Sequence, residues 1–403
     1  MPASNMPASA PTSSPSDLDS RSANALTLIA YAVFLPIGLV TVLLGPMLPT
    51  LSARWSLNYS QAGALFTDQY IASTLAVAVS GVLVARWGYR FAMKAGLLFV
   101  IVGLALLLSG SEVLGIACIA GYGWGLGLLV PAANLLVAGV NPTRRSAKLN
   151  VLNFCWSAGA VACPFLVAFA ATRHRVILLF DLVAGCMLVV LVGIAIMPAS
   201  IVEPAVDKGR TALGIDWRQR ALLPLGALFF VYVGTENGFG GWIASYAKSL
   251  GSMTVSMSLV SPSFFYASLM FGRLLAPLLL RMIDEIHLAQ AGLLVACAGT
   301  GGLLLSRALP GVATSACLAG LGLSCVYPIT IALLSREFGT AASRIGSVMF
   351  TLANLGGGSM PWLVGASANR FGALKAGLAV PLAGCAAMYV LYLRDWKSAE
   401  SSA

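Results

Sequence analysis

The sequence predicts an all-α membrane protein: twelve transmembrane helices in two six-helix, pseudo-symmetric bundles. The first observation behind this is composition. Apolar residues make up 59% of the chain and charged residues 9%, against about 25% charged in soluble domains, so most segments lack the polar face a helix needs in water. The second is run length. The apolar residues continue for about 20 positions at a time, enough to cross roughly 30 Å of hydrocarbon at about 1.5 Å per residue; barrel strands would alternate instead. The third is a repeat. Gly123, Gly125, Pro131, Gly159 and Pro164 return 197 residues later as Gly320, Gly322, Pro328, Gly356 and Pro361, and Phe165-Leu166-Val167 returns as Trp362-Leu363-Val364. A constant, gapless offset marks a duplicated half, and two membrane halves facing one another place a binding site between them near the bilayer midplane. Glycine lets helix backbones approach closely, and proline interrupts the hydrogen-bond ladder and permits bending.

Taken in order, residues 1–22 are rich in Pro, Ser and Ala and read as a disordered tail. They lack the basic start of a cleaved signal peptide, so the first span is expected to stay as an uncleaved anchor. The N-terminal bundle occupies 23–198, with spans near 26–50, 60–85, 92–110, 114–139, 148–171 and 177–198. The first of these carries Pro36, Gly38, Gly45, Pro46 and Pro49, a pattern of bends, and the second holds the polar cluster Thr67-Asp68-Gln69-Tyr70. Residues 199–219 contain Glu203, Asp207, Lys208, Arg210, Asp216 and Arg218 and suit a cytoplasmic linker. The C-terminal bundle takes 220–393, with spans near 221–247, 258–280, 288–306, 311–334, 346–368 and 374–393, before a short polar tail, 394–403.

The formal net charge of +10 is informative through its distribution. With the N-terminus inside and the spans alternating, Lys and Arg concentrate in the tails and in the loops of one side, the bias that orients membrane proteins. Both termini are therefore expected in the cytoplasm, in a multi-pass protein of the inner or plasma membrane. Topogenesis explains Arg86/Arg90/Lys94 and Arg144/Arg145/Lys148 better than nucleic-acid binding does, and no nucleic-acid partner is expected. The eight cysteines all fall in spans without metal-ligand spacing, and the two histidines, His174 and His287, lie near loops. Neither a disulfide framework nor a metal site is expected, and no cofactor.

Helix 2 leaves the membrane at Gly81-Val82-Leu83-Val84-Ala85-Arg86-Trp87-Gly88-Tyr89-Arg90. This resembles the loop signature of the major facilitator superfamily, with Ala85 where an Asp is usual; a fainter copy lies near Gly272-Arg273 and Arg281. In the family that loop holds the inner face closed by charge pairing, so the resemblance implies gating roles for Arg86, Arg90 and Arg273 and a differently latched gate. Pro131-Ala132-Ala133-Asn134, then Leu149-Asn150 with Asn153, then Gly159-Ala160, then Tyr232-Val233-Gly234-Thr235-Glu236-Asn237 followed by Trp242 and Tyr246, is similar to the fucose/galactose/glucose proton symporter branch. Val130 replaces that branch's acid and Asn153 its Gln. The resemblance implies the major facilitator fold and a secondary transporter working by alternating access.

Asp68, Asp181 and Glu236 are the carboxylates well inside predicted spans. An ionisable group at the bilayer centre costs at least about 2.5–3.5 kcal/mol on insertion scales, a cost that binding protons, cations or cargo would justify. Glu236, among small residues on the seventh span, and Asp68 are the proton-coupling candidates; a packing or hydrogen-bonding role is the plainer alternative for each. Asp181 lies near His174 and Arg175 and suits an interfacial ion pair. Asn134, Asn150, Asn153, Asn237 and Asn354 can both donate and accept, as binding a hydroxyl-rich solute requires, and Trp156 and Tyr327 could stack on a sugar ring. Interhelical packing would account for the same residue types. The leading expectation is proton symport of a small polar solute, a sugar among the candidates, by a monomer; sodium coupling and uniport stay open. The chain carries no phosphate-cradling Gly-x4-Gly-Lys-Ser/Thr loop. A proton-coupled exporter of amphipathic compounds is the rival, and a non-transporting receptor or scaffold derived from a carrier is a third reading. An enzyme is not expected, since no cluster of nucleophiles or histidines marks a membrane face.

Overall fold

The computed structural model describes residues 15–141, 144–198, 221–338, 342–394 and 396. The expected linker, 199–219, lies outside the described residues, as do 1–14 of the N-terminal tail and 397–403 of the C-terminal one.

In the first half, α1 (Pro15–Val42) and α2 (Leu44–Trp55) together form one span. The break at Leu43 falls where Pro46 has no N–H to offer the Val42 carbonyl. α1 begins within the stretch read as disordered, with Pro15 at its first position, where a fixed φ suits a helix start. α3 (Tyr59–Leu106) has 48 residues, about 72 Å at 1.5 Å each, and so contains two spans. The chain reverses within it at Gly88, where φ is 83° and ψ 171°, a conformation open to glycine and closed to other L-residues. The Asn58–Gln61 capping box starts it cleanly. α4 (Glu112–Val140), α5 (Arg145–Thr172) and α6 (Val176–Ala195) complete the half.

The second half runs α7 (Leu222–Ser249), α8 (Val255–Leu279), α9 (Glu285–Leu305), α10 (Leu309–Leu323), α11 (Val326–Phe338), α12 (Ala342–Phe371), α13 (Leu374–Gly377) and α14 (Ala379–Tyr392). α10 with α11, and α13 with α14, each make one span, interrupted ahead of Pro328 and Pro381 for the reason that holds at Pro46. Twelve spans result.

The duplicated glycines occupy equivalent packing positions. A Cβ on Gly123 would overlap the Gln69 carbonyl of α3, and on Gly320 the Phe265 carbonyl of α8. Gly125 faces the Gly96 carbonyl and Gly322 the Gly292 carbonyl; Gly159 faces Leu35 of α1 and Gly356 faces Phe230 of α7. In each pair the partners are separated by nearly the same offset as the glycines, so the two halves repeat one packing scheme. Because these contacts are backbone on backbone, neither side can yield, and overpacking costs about 1–3 kcal/mol or more. Gly159→Val and Gly356→Val are each expected to lower the thermal unfolding midpoint in detergent, by similar amounts. Unchanged midpoints would contradict the packing scheme.

Two faces of the molecule follow from the loops. On one, here the linker face, Tyr31 Oη donates to the Lys148 carbonyl (3.0 Å) and Asn141 Nδ2 to Thr27 Oγ1 (2.8 Å), tying α1 to the start of α5 and the end of α4. The opposite, far face carries the turns at Ser56, Arg173 and Gly251. The halves touch mainly toward the far face. There Gly365 of α12 lies against the Tyr59 carbonyl, Gly63 lies 2.9 Å (as a notional Cβ) from Trp362 Cα, and Gly45 of α2 meets Gly241 of α7. Thr67 Oγ1 donates to the Gly358 carbonyl (2.9 Å) and Ser263 Oγ to the Val161 carbonyl (3.1 Å).

Candidate functional site

Toward the linker face the same helix surfaces separate and a cleft opens. On α5, Ser157, Val161 and Pro164 form the strip that meets α8, where Ser157 and Pro164 are buried. At 100° per residue, Asn153 and Asn150 continue that strip toward the linker face, and there both are exposed. Opposite them Leu274, on the α8 face that carries Ser263, is 57% exposed. On α12, Asn354 and Ser347 extend the strip on which Gly358 packs against α3; Asn354 is half-buried and Ser347 exposed. Facing them on α3, Gly81 has open space where a side chain would be. Asn150, Asn153 and Asn354 thus border one cleft between the halves.

At its closed end lies a cluster centred on Glu236, midway along α7. Its carboxylate is 12% exposed, and Oε2 is 3.9 Å from Nη2 of Arg273 on α8, itself 25% exposed. The same Nη2 is 3.5 Å from the Tyr232 hydroxyl, which donates to the Leu323 carbonyl (3.2 Å). Tyr327 of α11 stacks on Tyr232 with ring centroids 5.1 Å apart at 26°. Tyr70 of α3 and Tyr266 of α8 are within electrostatic reach of Glu236. A carboxylate and a guanidinium balance one another, leaving a near-neutral pocket edge of phenols and amides, chemistry that suits an uncharged polyhydroxyl solute.

Other sequence candidates fall elsewhere. Arg273, given a gating role by the resemblance, turns toward Glu236. Asp68 is apart from Glu236: it is half-buried on the side of α3 that meets α4, whereas Thr67 and Tyr70 take the contacts to the other half. One Asp68 oxygen is buried without a hydrogen-bond partner among the described residues, near Tyr122 of α4. Asn237 has its amide engaged at both ends, accepting from Tyr70 Oη (2.8 Å) and donating to the Val233 carbonyl (2.8 Å). Asn134 donates to Val130 of its own helix (2.8 Å), and Trp156 Nε1 lies 3.4 Å from Thr41 Oγ1 of α1, half-buried inside the first half. Arg90 donates to the Met197 and Pro198 carbonyls (3.4 Å each), tying α3 to the end of α6 in its own half, and Arg86 lies 5.6 Å over the Trp87 ring. Asp181 is exposed on α6. Among the described residues no group of His, Cys, Asp and Glu is placed to hold a metal ion.

The pattern that defines the Major Facilitator Superfamily matches residues 30–361. The chain belongs to the major facilitator superfamily. It is a secondary transporter by that membership, with the superfamily's twelve helices in two halves. A glucose/galactose transporter of Brucella abortus is 26% identical over 398 residues, covering 91% of this chain and 94% of the relative. Among solved structures, a mutant form of the nucleoside transporter NupG superposes with a TM-score of 0.72 at 12% identity, covering 92% of this chain and 98% of that one. The Escherichia coli fucose:proton symporter FucP, also a mutant form, gives 0.64 at 18%, covering 93% and 99%. The resemblance to the sugar-symporter branch read from the asparagine and Glu236 motifs is borne out.

Sequence reasoning also missed a charged contact at the linker face. Glu285, in the first turn of α9, and Arg336, in the last turn of α11, form an ion pair of 2.7 Å at the linker face of the second half. The pair joins α9 to α11 within the second half. The signal available was two lone charges at adjoining span ends. Because Arg336 is 17% and Glu285 33% exposed, removing one partner leaves the other only partly hydrated, a loss below the roughly 3–5 kcal/mol of a fully buried pair. Glu285→Ala is expected to lower the unfolding midpoint far more than Glu112→Ala, a loop-end acid outside this pair; equal effects would contradict a structural pair.

Proposed function

We propose that this protein imports a small uncharged polyhydroxyl solute, a sugar, by proton symport, with Glu236 as the proton-binding group and the linker face in the cytoplasm. The observation that carries the reading is Glu236 itself: an ionisable side chain at mid-span, costly to keep there, placed where the halves meet and beside Arg273. Cargo would enter the cleft bordered by Asn150, Asn153 and Asn354 and rest against Tyr327. Rocking one half against the other exposes the site alternately to each side. The described arrangement, closed toward the far face and open toward the linker face, is then the cytoplasm-open state. The protein names attached to the relatives, a glucose/galactose transporter and a fucose:proton symporter, support the cargo class. The excess of Lys and Arg on the linker side supports the orientation, in an inner or plasma membrane, and the halves make a complete cleft within one monomer.

Reconstitution tests the proposal: proteoliposomes are given labelled hexoses, a nucleoside and an amino acid, with and without an inward proton gradient. Hexose accumulation that requires the gradient is expected; accumulation of the amino acid alone, or indifference to the gradient, refutes it. Asp68→Asn is expected to leave accumulation within about twofold of wild type, because Asp68 faces away from the cleft. A complete loss would return Asp68 to the coupling site.

A further inference from the structure

We infer that Tyr70 is the positioning residue that ties closure of the far face to the state of Glu236, through a hydrogen bond crossing between the halves. This rests on the reading of Glu236 as the proton site. Tyr70 belongs to α3 in the first half, yet its ring fits a notch in the second: a Cβ on Gly357 of α12 would lie 2.6 Å from the ring, and one on Gly358 would lie 3.0 Å from Tyr70 Cβ. Beyond the notch its hydroxyl donates to Asn237 Oδ1 on α7 (2.8 Å). Asn237 is held for this, because its Nδ2 donates to the Val233 carbonyl of its own helix (2.8 Å) and so fixes which end of the amide faces Tyr70.

The other polar contacts named between the halves, Thr67 to the Gly358 carbonyl and Ser263 to the Val161 carbonyl, end on backbone. A backbone carbonyl carries no state. Tyr70 alone among these three reaches a side chain, and that side chain is the residue following Glu236. Opening the far face must draw the ring from its notch and give up that part-buried hydrogen bond, a net cost to opening. A change of charge on Glu236 acts next to that bond. The ionisable groups facing Glu236 are Arg273 and Tyr266 from α8, Tyr327 from α11, Tyr232 from one turn earlier on α7, and Tyr70 itself. α12 carries charge only at Arg344 and Arg370, toward its two ends, and α14 carries none.

The test uses the full chain in liposomes, with spin labels on A53C and N369C, two exposed positions at the far-face ends of α2 and α12, in a background lacking the native cysteines. The population with well-separated labels is measured on the acid and alkaline sides of neutrality. Tyr70→Phe keeps the ring in its notch and removes only the hydroxyl. It is expected to raise the separated population about tenfold and to flatten its dependence on pH. Asn237→Ala should reproduce the shift, and the double variant should add nothing. A Tyr70→Phe distribution identical to wild type at both pH values overturns the proposal. Glu236→Gln separates the two readings: if the pH response survives in it but not in Tyr70→Phe, the assignment of Glu236 fails while the Tyr70 latch stands.

Discussion

Replacing Glu236 with glutamine is expected to reduce gradient-driven accumulation to passive equilibration while cargo exchange continues. Glutamine preserves the size and much of the hydrogen bonding of the side chain but cannot take up and release a proton. It also leaves Arg273, whose Nη2 is 3.9 Å from the carboxylate, as a largely buried cation without its counter-charge. Breaking such a pair costs about 3–5 kcal/mol, so stability contributes to the loss alongside coupling. The double variant with Arg273→Gln separates the effects. It should recover the unfolding midpoint but not accumulation, because the charge imbalance is removed while the proton site is still missing. Accumulation measured in proteoliposomes under an inward proton gradient, beside counterflow exchange without one, decides the matter. If Glu236→Gln still accumulates cargo, the coupling site lies elsewhere.

Closing the far face depends on glycine, and filling two of those positions is expected to stop turnover. A Cβ on Gly365 would overlap the Tyr59 carbonyl and lie 3.0 Å from the Trp242 ring; one on Gly63 would lie 2.9 Å from Trp362 Cα and 3.0 Å from the Pro361 carbonyl. Except for Trp242, which like Gly365 belongs to the second half, these contacts exist only while the halves are together at that end. Overpacking of about 1–3 kcal/mol therefore falls chiefly on the closed state, and at about tenfold per 1.4 kcal/mol each valine should cut its population by roughly ten- to a hundredfold. Gly63→Val with Gly365→Val should compound the effect and hold the transporter open at the far face, with binding from that side retained and net transport lost. Wild-type turnover in the double variant would remove the glycine seam from the mechanism. The contrast with Gly159 and Gly356 is informative. Those two pack inside one half, so their substitution should lower stability in every state and not choose between states.

Much of this was legible in the chain. The repeat stood out because Gly123, Gly125 and Gly159, and their copies at 320, 322 and 356, occupy points where backbones touch and no side chain fits. Glu236 stood out because a carboxylate in a run of apolar residues demands a reason. The helix interruptions were only partly legible. Pro46, Pro328 and Pro381 each follow a break by a few residues, while Pro36, Pro131 and Pro164 lie inside continuous helices. Whether a lost hydrogen bond becomes a break or a gentle bend depends on what packs around it.

The sequence alone determined the membrane setting, the two halves, the family resemblance and the residues whose burial is costly, because hydrophobic run length and glycine spacing are properties of the chain. Only the tertiary structure decided which of those residues share a site. Asp68 and Tyr70 are two positions apart, yet at 100° per residue one turns toward α4 of its own half and the other crosses to Asn237. Arg273 joins Glu236 from another helix, and Glu285 finds Arg336 fifty-one positions further on. Helical periodicity says which residues share a face; which neighbour that face meets is set by how the twelve spans pack.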